Sequence, residues 1–194
     1  AAGGPVGAVG GGGGGRGDGG GTTGDPADAN VYVGTEAVLH RVTRADVVAF
    51  LELDAELFAP RFRAAEHAIA LIARAARMVG PRSGGGRLVL QTFSPDHEVV
   101  RAAVFGDPGR MVEVDGARRR ALGLPPYGAL AEVAGAGAAD LVVSLAGTPG
   151  VEVGGGPDRW VVRSDDPERL GSALRAAPRP PGSRLRVAVD PPRA

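Results

Sequence analysis

The sequence predicts an α/β layer followed by a small α+β domain, and three observations carry that expectation. The runs Asp46–Asp54 and Arg87–Thr92 have continuous apolar centres, as strands covered on both faces do. Between them, Pro60–Val79 repeats apolar residues at spacings of three and four, the pattern of a long amphipathic helix. The last run, Arg184–Asp190, alternates instead, as a half-buried antiparallel strand does.

The elements follow in order. Of 33 glycines, 14 lie within the first 24 positions, so residues 1–29 bury too little apolar surface to offset chain entropy and are expected to be a disordered tail. Val31–Val33 reads as a short strand ending at Gly34-Thr35. A polar connection with His40, Arg41 and Arg44 leads into the Asp46–Asp54 strand. In the long helix Pro60 suits the first turn, Phe62, Ala65, Ile69, Ile72, Ala76 and Val79 mark an inner face, and Gly80-Pro81 supplies the stop. Arg63, His67, Arg74 and Arg77 share another stripe. After a turn at Gly84–Gly86 comes the Arg87–Thr92 strand. Ser94-Pro95-Asp96 then reads as the start of a helix running to Gly106, and a second helix spans Arg110–Ala121.

Leu122–Gly128, rich in Gly and Pro, is the expected boundary, giving a tail (1–29), a first domain (30–122) and a second (123–194). The second domain is read as strands at Ala129–Val133 and Leu141–Leu145, a turn region at Gly147–Pro157 and a strand at Arg159–Arg163. Then comes a helix capped by Asp166 with Pro167 at its first position. Leu170 and Leu174 face inward from that helix, and Leu185, Val187 and Val189 from the last strand, so one helix packs on an antiparallel sheet.

Composition narrows the chemistry. All 22 basic residues are Arg, which excludes a phosphate-gripping lysine loop, a Schiff-base lysine and a Ser-Lys dyad. Zero Cys excludes thiol nucleophiles and thiolate zinc sites. His40, His67 and His97 have no ligand spacing, and Ser94 beside His97 reads as helix capping. The neutral total hides a basic middle: residues 61–120 hold eleven Arg against six acids, +5, where an anionic partner would dock. No apolar run reaches the roughly 18 residues of a membrane span, so a cytoplasmic protein is expected.

Four segments in fixed order resemble a known family: Val33-Gly34-Thr35; Leu53-Asp54-Ala55-Glu56 with Ala59-Pro60-Arg61-Phe62-Arg63-Ala64-Ala65-Glu66; Gln91-Thr92 with Ser94-Pro95-Asp96-His97; and the stretch from Arg120 through Leu124-Pro125-Pro126-Tyr127-Gly128. With Val189-Asp190-Pro191 near the end, the set resembles primosomal protein N′, the PriA replication-restart helicases, over residues 31–194. The resemblance implies the distal part of a RecA-like helicase second lobe followed by a small α+β C-terminal domain. It also implies a family chemistry of ATP, magnesium and zinc, with no cofactor held by this chain, and partners that include DNA forks, single-stranded DNA, single-strand-binding protein and other primosome proteins.

The motor pattern is incomplete here. Gly34, Thr35, Asp54 and Glu66 stand as degenerate remnants of the helicase motifs, while the two arginine-finger positions fall on Met78 and Pro81, which cannot stabilise phosphoryl charge. The leading expectation is therefore a replication-restart DNA-binding protein or fragment without motor activity. Arg61, Arg63, Arg74, Arg77, Arg118, Arg119 and Arg120 are its phosphate-contacting candidates, and no residue is assigned a catalytic or metal-binding role. One alternative is the carboxyl-terminal piece of an ATP-dependent three-prime to five-prime helicase. Another is a docking module for single-strand-binding protein using Arg159, Arg163, Arg184 and Arg186.

Overall fold

The computed structural model describes residues 6–9, 29–156, 159–179, 182 and 184–191. The tail expected over 1–29 lies outside these, apart from Val6–Val9 and Ala29. The chain is mixed α/β with open sheets. In chain order its elements are β1 (Val6–Val9), β2 (Val31–Gly34), α1 (Val38–Arg41), β3 (Val47–Phe50), α2 (Leu53–Leu57), α3 (Ala64–Val79), β4 (Arg87–Leu90), α4 (Glu98–Phe105), α5 (Val112–Ala121), β5 (Ala129–Gly135), α6 (Ala138–Leu145), β6 (Glu152–Gly156), β7 (Arg159–Ser164), α7 (Pro167–Ala176) and β8 (Leu185–Val189). They form two compact units, Ala1–Asp54 with Ala68–Phe93 and Ala55–His67 with Ser94–Ala194. The expected boundary at 122/123 lies inside the second unit.

In the first unit β1 pairs in parallel with β2, a strand the sequence does not announce, and β3 pairs in parallel with β4, Val47 opposite Arg87. Leu71, Ala75 and Met78 of α3 bury against Leu39, with Val48, Phe50 and Leu88 packed on them. The inner stripe of α3 is therefore rotated by about one residue from the one expected: Ala68, Leu71, Ile72 and Ala75 are buried and Ala76 is exposed. Both stripes fit a 3.6-residue period, and only the neighbouring sheet selects between them. The helix begins at Ala64, not Pro60. The opposite face of β3 and β4 is open, with Val47 55% and Val89 48% exposed, so the expectation of strands covered on both faces is corrected. The extent of the Asp46–Asp54 strand is also corrected, because β3 ends at Phe50 and Leu53–Leu57 is helical.

In the second unit, β5-α6-β6-β7-α7-β8 builds a four-stranded antiparallel sheet in the order β6-β7-β5-β8, the split-βαβ arrangement of ferredoxin-like folds. Two helices, not one, supply its core: Ala138, Leu141, Val142 and Leu145 of α6 and Leu170 and Leu174 of α7 pack on Ala131, Val133 and Val162. Leu141–Leu145, expected as a strand, is helical because its apolar positions recur at three and four once Ala138 is included; a short apolar run alone does not separate the two periods. The turn expected over Gly147–Pro157 contains strand β6, in which Gly155 has φ +109° and passes so close to Arg159 that a Cβ would meet its carbonyl oxygen at 2.5 Å. Val189, expected to face inward, is exposed at the end of edge strand β8.

Local capping was readable in part. Asp166 accepts from Glu168 N at 2.8 Å with Pro167 in the first turn, as expected. The α4 cap is instead His97, whose Nδ1 accepts from Val99 N at 3.3 Å, so the helix starts later than Ser94-Pro95-Asp96 suggests. A 3-10 turn at Pro108–Met111, capped by Asp107, precedes α5 and displaces its start from Arg110 to Val112.

Candidate nucleic-acid interface

The first unit gathers arginines at the amino ends of β3 and β4. Ala45 N donates to Met78 O at 3.2 Å and Arg87 N to Asp46 O at 2.9 Å, which fixes the approach to β3 beside the end of α3 and the start of β4. Arg74 Nε donates to Leu39 O, drawing α1 to the same side of α3. In the loop between α3 and β4, Gly86 lies so close to Val79 that a Cβ would sit 2.1 Å from its carbonyl oxygen, holding that loop against the helix end. Arg41, Arg44, Arg77, Arg82 and Arg87 are carried by these joined segments. All five are exposed, and none forms an ion pair or side-chain hydrogen bond among the described residues. Arg77 and Arg41 also have a local electrostatic task, since they sit in the last turns of α3 and α1 beside the helices' carbonyl ends.

The second unit treats its arginines differently. Arg119 is 4% exposed; Nε donates to Asp115, Nη1 donates to Pro125 O at 2.9 Å, and Nη2 lies 2.8 Å from Glu66 Oε1, close enough for charge pairing at an angle that makes no hydrogen bond. Its guanidinium also lies 5.5 Å from the Phe62 ring centre. Arg118 donates to Asp115 at 2.7 Å and to Glu98 at 2.9 Å. Arg63 grips both oxygens of Asp190 at 2.6 Å, and Arg61 pairs with Glu56. Arg120 is exposed and stacks on Tyr127, its guanidinium 4.3 Å from the ring centre.

These pairings move protonation equilibria. Burial acts to raise the Glu98 carboxyl, but hydrogen bonds from its own backbone N–H and from Arg118, with the charges of His97 and Arg118, hold it below the ordinary value of 4.5. The Arg118 guanidinium is raised by its hydrogen bond to Asp115 against the opposing effect of burial, with Glu98 adding to the rise.

Of the seven arginines assigned to phosphate from the sequence, then, Arg77 and Arg120 are exposed and free of ion pairs, Arg74 bonds the α1 backbone, and Arg61, Arg63, Arg118 and Arg119 are held by acids. Arg41, Arg44, Arg82 and Arg87 are not among the seven: Arg41 ends α1, Arg87 opens β4, and Arg44 and Arg82 lie in the connections before β3 and β4. Among the motif remnants, Asp54 accepts from Thr92 Oγ1 at 2.9 Å and Phe93 N at 3.0 Å, Glu66 pairs with Arg119, and Gly34 and Thr35 are exposed. Met78, at one finger position, is buried in the α3 cluster.

Elsewhere in the second unit, Arg61 and Arg163 line an open cleft of about 440 Å³ with Phe62, Leu130 and Val161, while Arg159 pairs with Glu132 at 2.6 Å and Arg184 and Arg186 are exposed. Among the described residues no group of three or more His, Asp or Glu is placed to hold a metal, and no helix is long and apolar enough to cross a membrane.

No protein-family model matches the chain. It is similar to the replication restart protein PriA of Thermotoga maritima, 27% identical over an alignment 187 residues long that covers 85% of this chain and 25% of that protein. The PriA of Bacillus subtilis is 28% identical over 107 residues, 54% of this chain and 13% of its own. That of Treponema pallidum is 36% identical over 74 residues, 38% and 11% respectively. The matched stretch is thus a quarter or less of the length of these three relatives.

Proposed function

We propose that this chain, a relative of the replication restart protein PriA, serves replication restart as a DNA-binding module that carries no motor of its own. The observation that supports this most is the group of exposed, unpaired arginines at the amino ends of β3 and β4: Arg41, Arg44, Arg77, Arg82 and Arg87. Guanidinium groups free of acids contact phosphates without first breaking an internal pair, and they give affinity that is indifferent to sequence and falls with salt. Loss of the motor follows from the residues at the finger positions, since a buried Met78 and a Pro81 offer no cation to a transferring phosphoryl group. The same module contacts forked and single-stranded DNA. Fluorescence anisotropy of both at low and moderate salt tests this: salt-sensitive binding is expected, and no binding at low salt sinks the reading.

A second reading is favoured by the open face of β3 and β4. Val47, Leu51, Val89 and Phe93, the last 94% exposed, lie along a parallel strand pair, and parallel sheets are ordinarily covered on both faces. Here the first unit would be part of a RecA-like lobe that works as the carboxyl-terminal piece of an ATP-dependent helicase. Mixing the chain with a PriA first lobe and measuring DNA-stimulated ATP hydrolysis separates the two; with Met78 and Pro81 at the finger positions, no hydrolysis above that of the added lobe is expected.

A further inference from the structure

In the second unit, two aromatic rings carry a stacked guanidinium and remain open to solvent. Phe105, at the end of α4, is 60% exposed, with Arg110 4.1 Å from its ring centre. Tyr127 is 42% exposed, with Arg120 4.3 Å from its ring centre. The rings are linked by one stripe of α5. Val112, Gly116 and Arg120 recur every four residues, Val112 is exposed just after Arg110, and Gly116 lies against the Tyr127 hydroxyl, where a Cβ would sit 3.4 Å from the oxygen. Eight residues of helix separate the ends of that stripe, about 12 Å at 1.5 Å per residue.

We infer that this stripe is a base-stacking track for single-stranded nucleic acid, with Phe105 and Tyr127 as two platforms. The inference rests on the DNA-binding reading and names which form of DNA the second unit takes and by which groups. A span of about 12 Å corresponds to roughly two to three nucleotides of a strand with unstacked bases. Each ring offers a π-face that accepts any base, and the guanidinium on it adds positive charge toward the adjoining phosphate. Neighbouring charges offset this at the Phe105 ring only, since Arg120 has no ion pair among the described residues. Arg118 is already balanced by Glu98 and Asp115, and Arg101 is exposed beside Val104 and Phe105 on the outer face of α4. Asp107 pairs with Arg110 at 3.5 Å but leaves the guanidinium on the ring. An extended strand suits the track better than a duplex does, because paired bases keep their faces stacked on one another.

The test measures anisotropy of labelled oligo-dT and of a duplex of equal length with the full chain, comparing wild type with Phe105→Leu/Tyr127→Leu and with Phe105→Trp/Tyr127→Trp. Both positions are exposed, and circular dichroism checks that the variants are folded. The Leu pair is expected to weaken oligo-dT binding by about ten-fold or more per ring while leaving duplex binding within about two-fold, and the Trp pair to restore or tighten it. Wild-type binding with unchanged oligo-dT affinity in the Leu pair overturns the track and leaves the DNA-binding reading standing. Equal losses for single strand and duplex also overturn it. No DNA binding by wild type at low salt removes both.

Discussion

The two units differ in how they commit arginine: ion pairs hold several of them in the second and none in the first, among the described residues. In the first, Arg41, Arg44, Arg77, Arg82 and Arg87 form no ion pair among the described residues; in the second, Arg61, Arg63, Arg118 and Arg119 are held by a shared set of five acids, Glu56, Asp190, Glu98, Asp115 and Glu66. A buried arginine costs several kcal/mol of desolvation and persists only when paired and hydrogen-bonded, so Arg119 is committed to the architecture of its unit. An exposed arginine carries no such cost and remains available to phosphate. Local net charge therefore points to a basic region without saying which cations in it can leave for a ligand.

The sharpest way to break this comparison is Arg119→Met. Asp115 would keep only the half-exposed Arg118 and lose its buried partner, and stability is expected to fall by about 3 kcal/mol, measured by denaturant unfolding followed through Trp160, the single tryptophan. Adding Asp115→Asn should recover part of the loss through coupling of the pair. A cost below about 1 kcal/mol would mean that Arg119 is not committed.

In the first unit the expected effects reverse. Arg77→Gln/Arg82→Gln/Arg87→Gln should leave stability within about 0.5 kcal/mol per site, yet reduce the slope of log affinity against log salt by about two to three for duplex DNA. Unchanged salt dependence would remove these residues from the interface. Between the extremes lies Arg63→Gln, which breaks the partly exposed pair in which Nη2 bonds both oxygens of Asp190. It should cost about 1 kcal/mol and leave DNA affinity unaltered.

The smallest effect concerns Glu98, whose folded carboxyl is held below 4.5. A depressed carboxyl stabilises the fold above its unfolded value and loses that contribution as pH falls through the folded value. Glu98→Gln should therefore lower stability at neutral pH by less than about 1 kcal/mol and flatten the acid limb below about pH 4.5, where the two proteins converge. An acid limb identical in both proteins would assign the loss to other carboxylates.

How far the sequence was legible depends on the range of the interaction involved. Asp166-Pro167 and the alternation through Leu185 and Val187 are local signals, and both were readable. Leu141–Leu145 was not, because four or five apolar residues fit either period until Ala138 is seen to share their buried face. Arg118-Arg119-Arg120 reads as one basic cluster, but successive residues on a helix point about 100° apart. One therefore meets Glu98 and Asp115, the next is buried against Asp115 and Pro125, and the third stacks on Tyr127.

By itself the sequence determined where the long helix ends and its phase to within a residue or so, the cap of α7, and the antiparallel character of the last strand. All of these are written in residues close to one another. Tertiary structure decided which cations are free, because Arg63 meets Asp190 across 127 residues of chain and Arg119 meets Glu66 only after α5 has folded beside it. A charge is available to a ligand only when folding has not already brought an opposite one to it, and that depends on distances that no local pattern encodes.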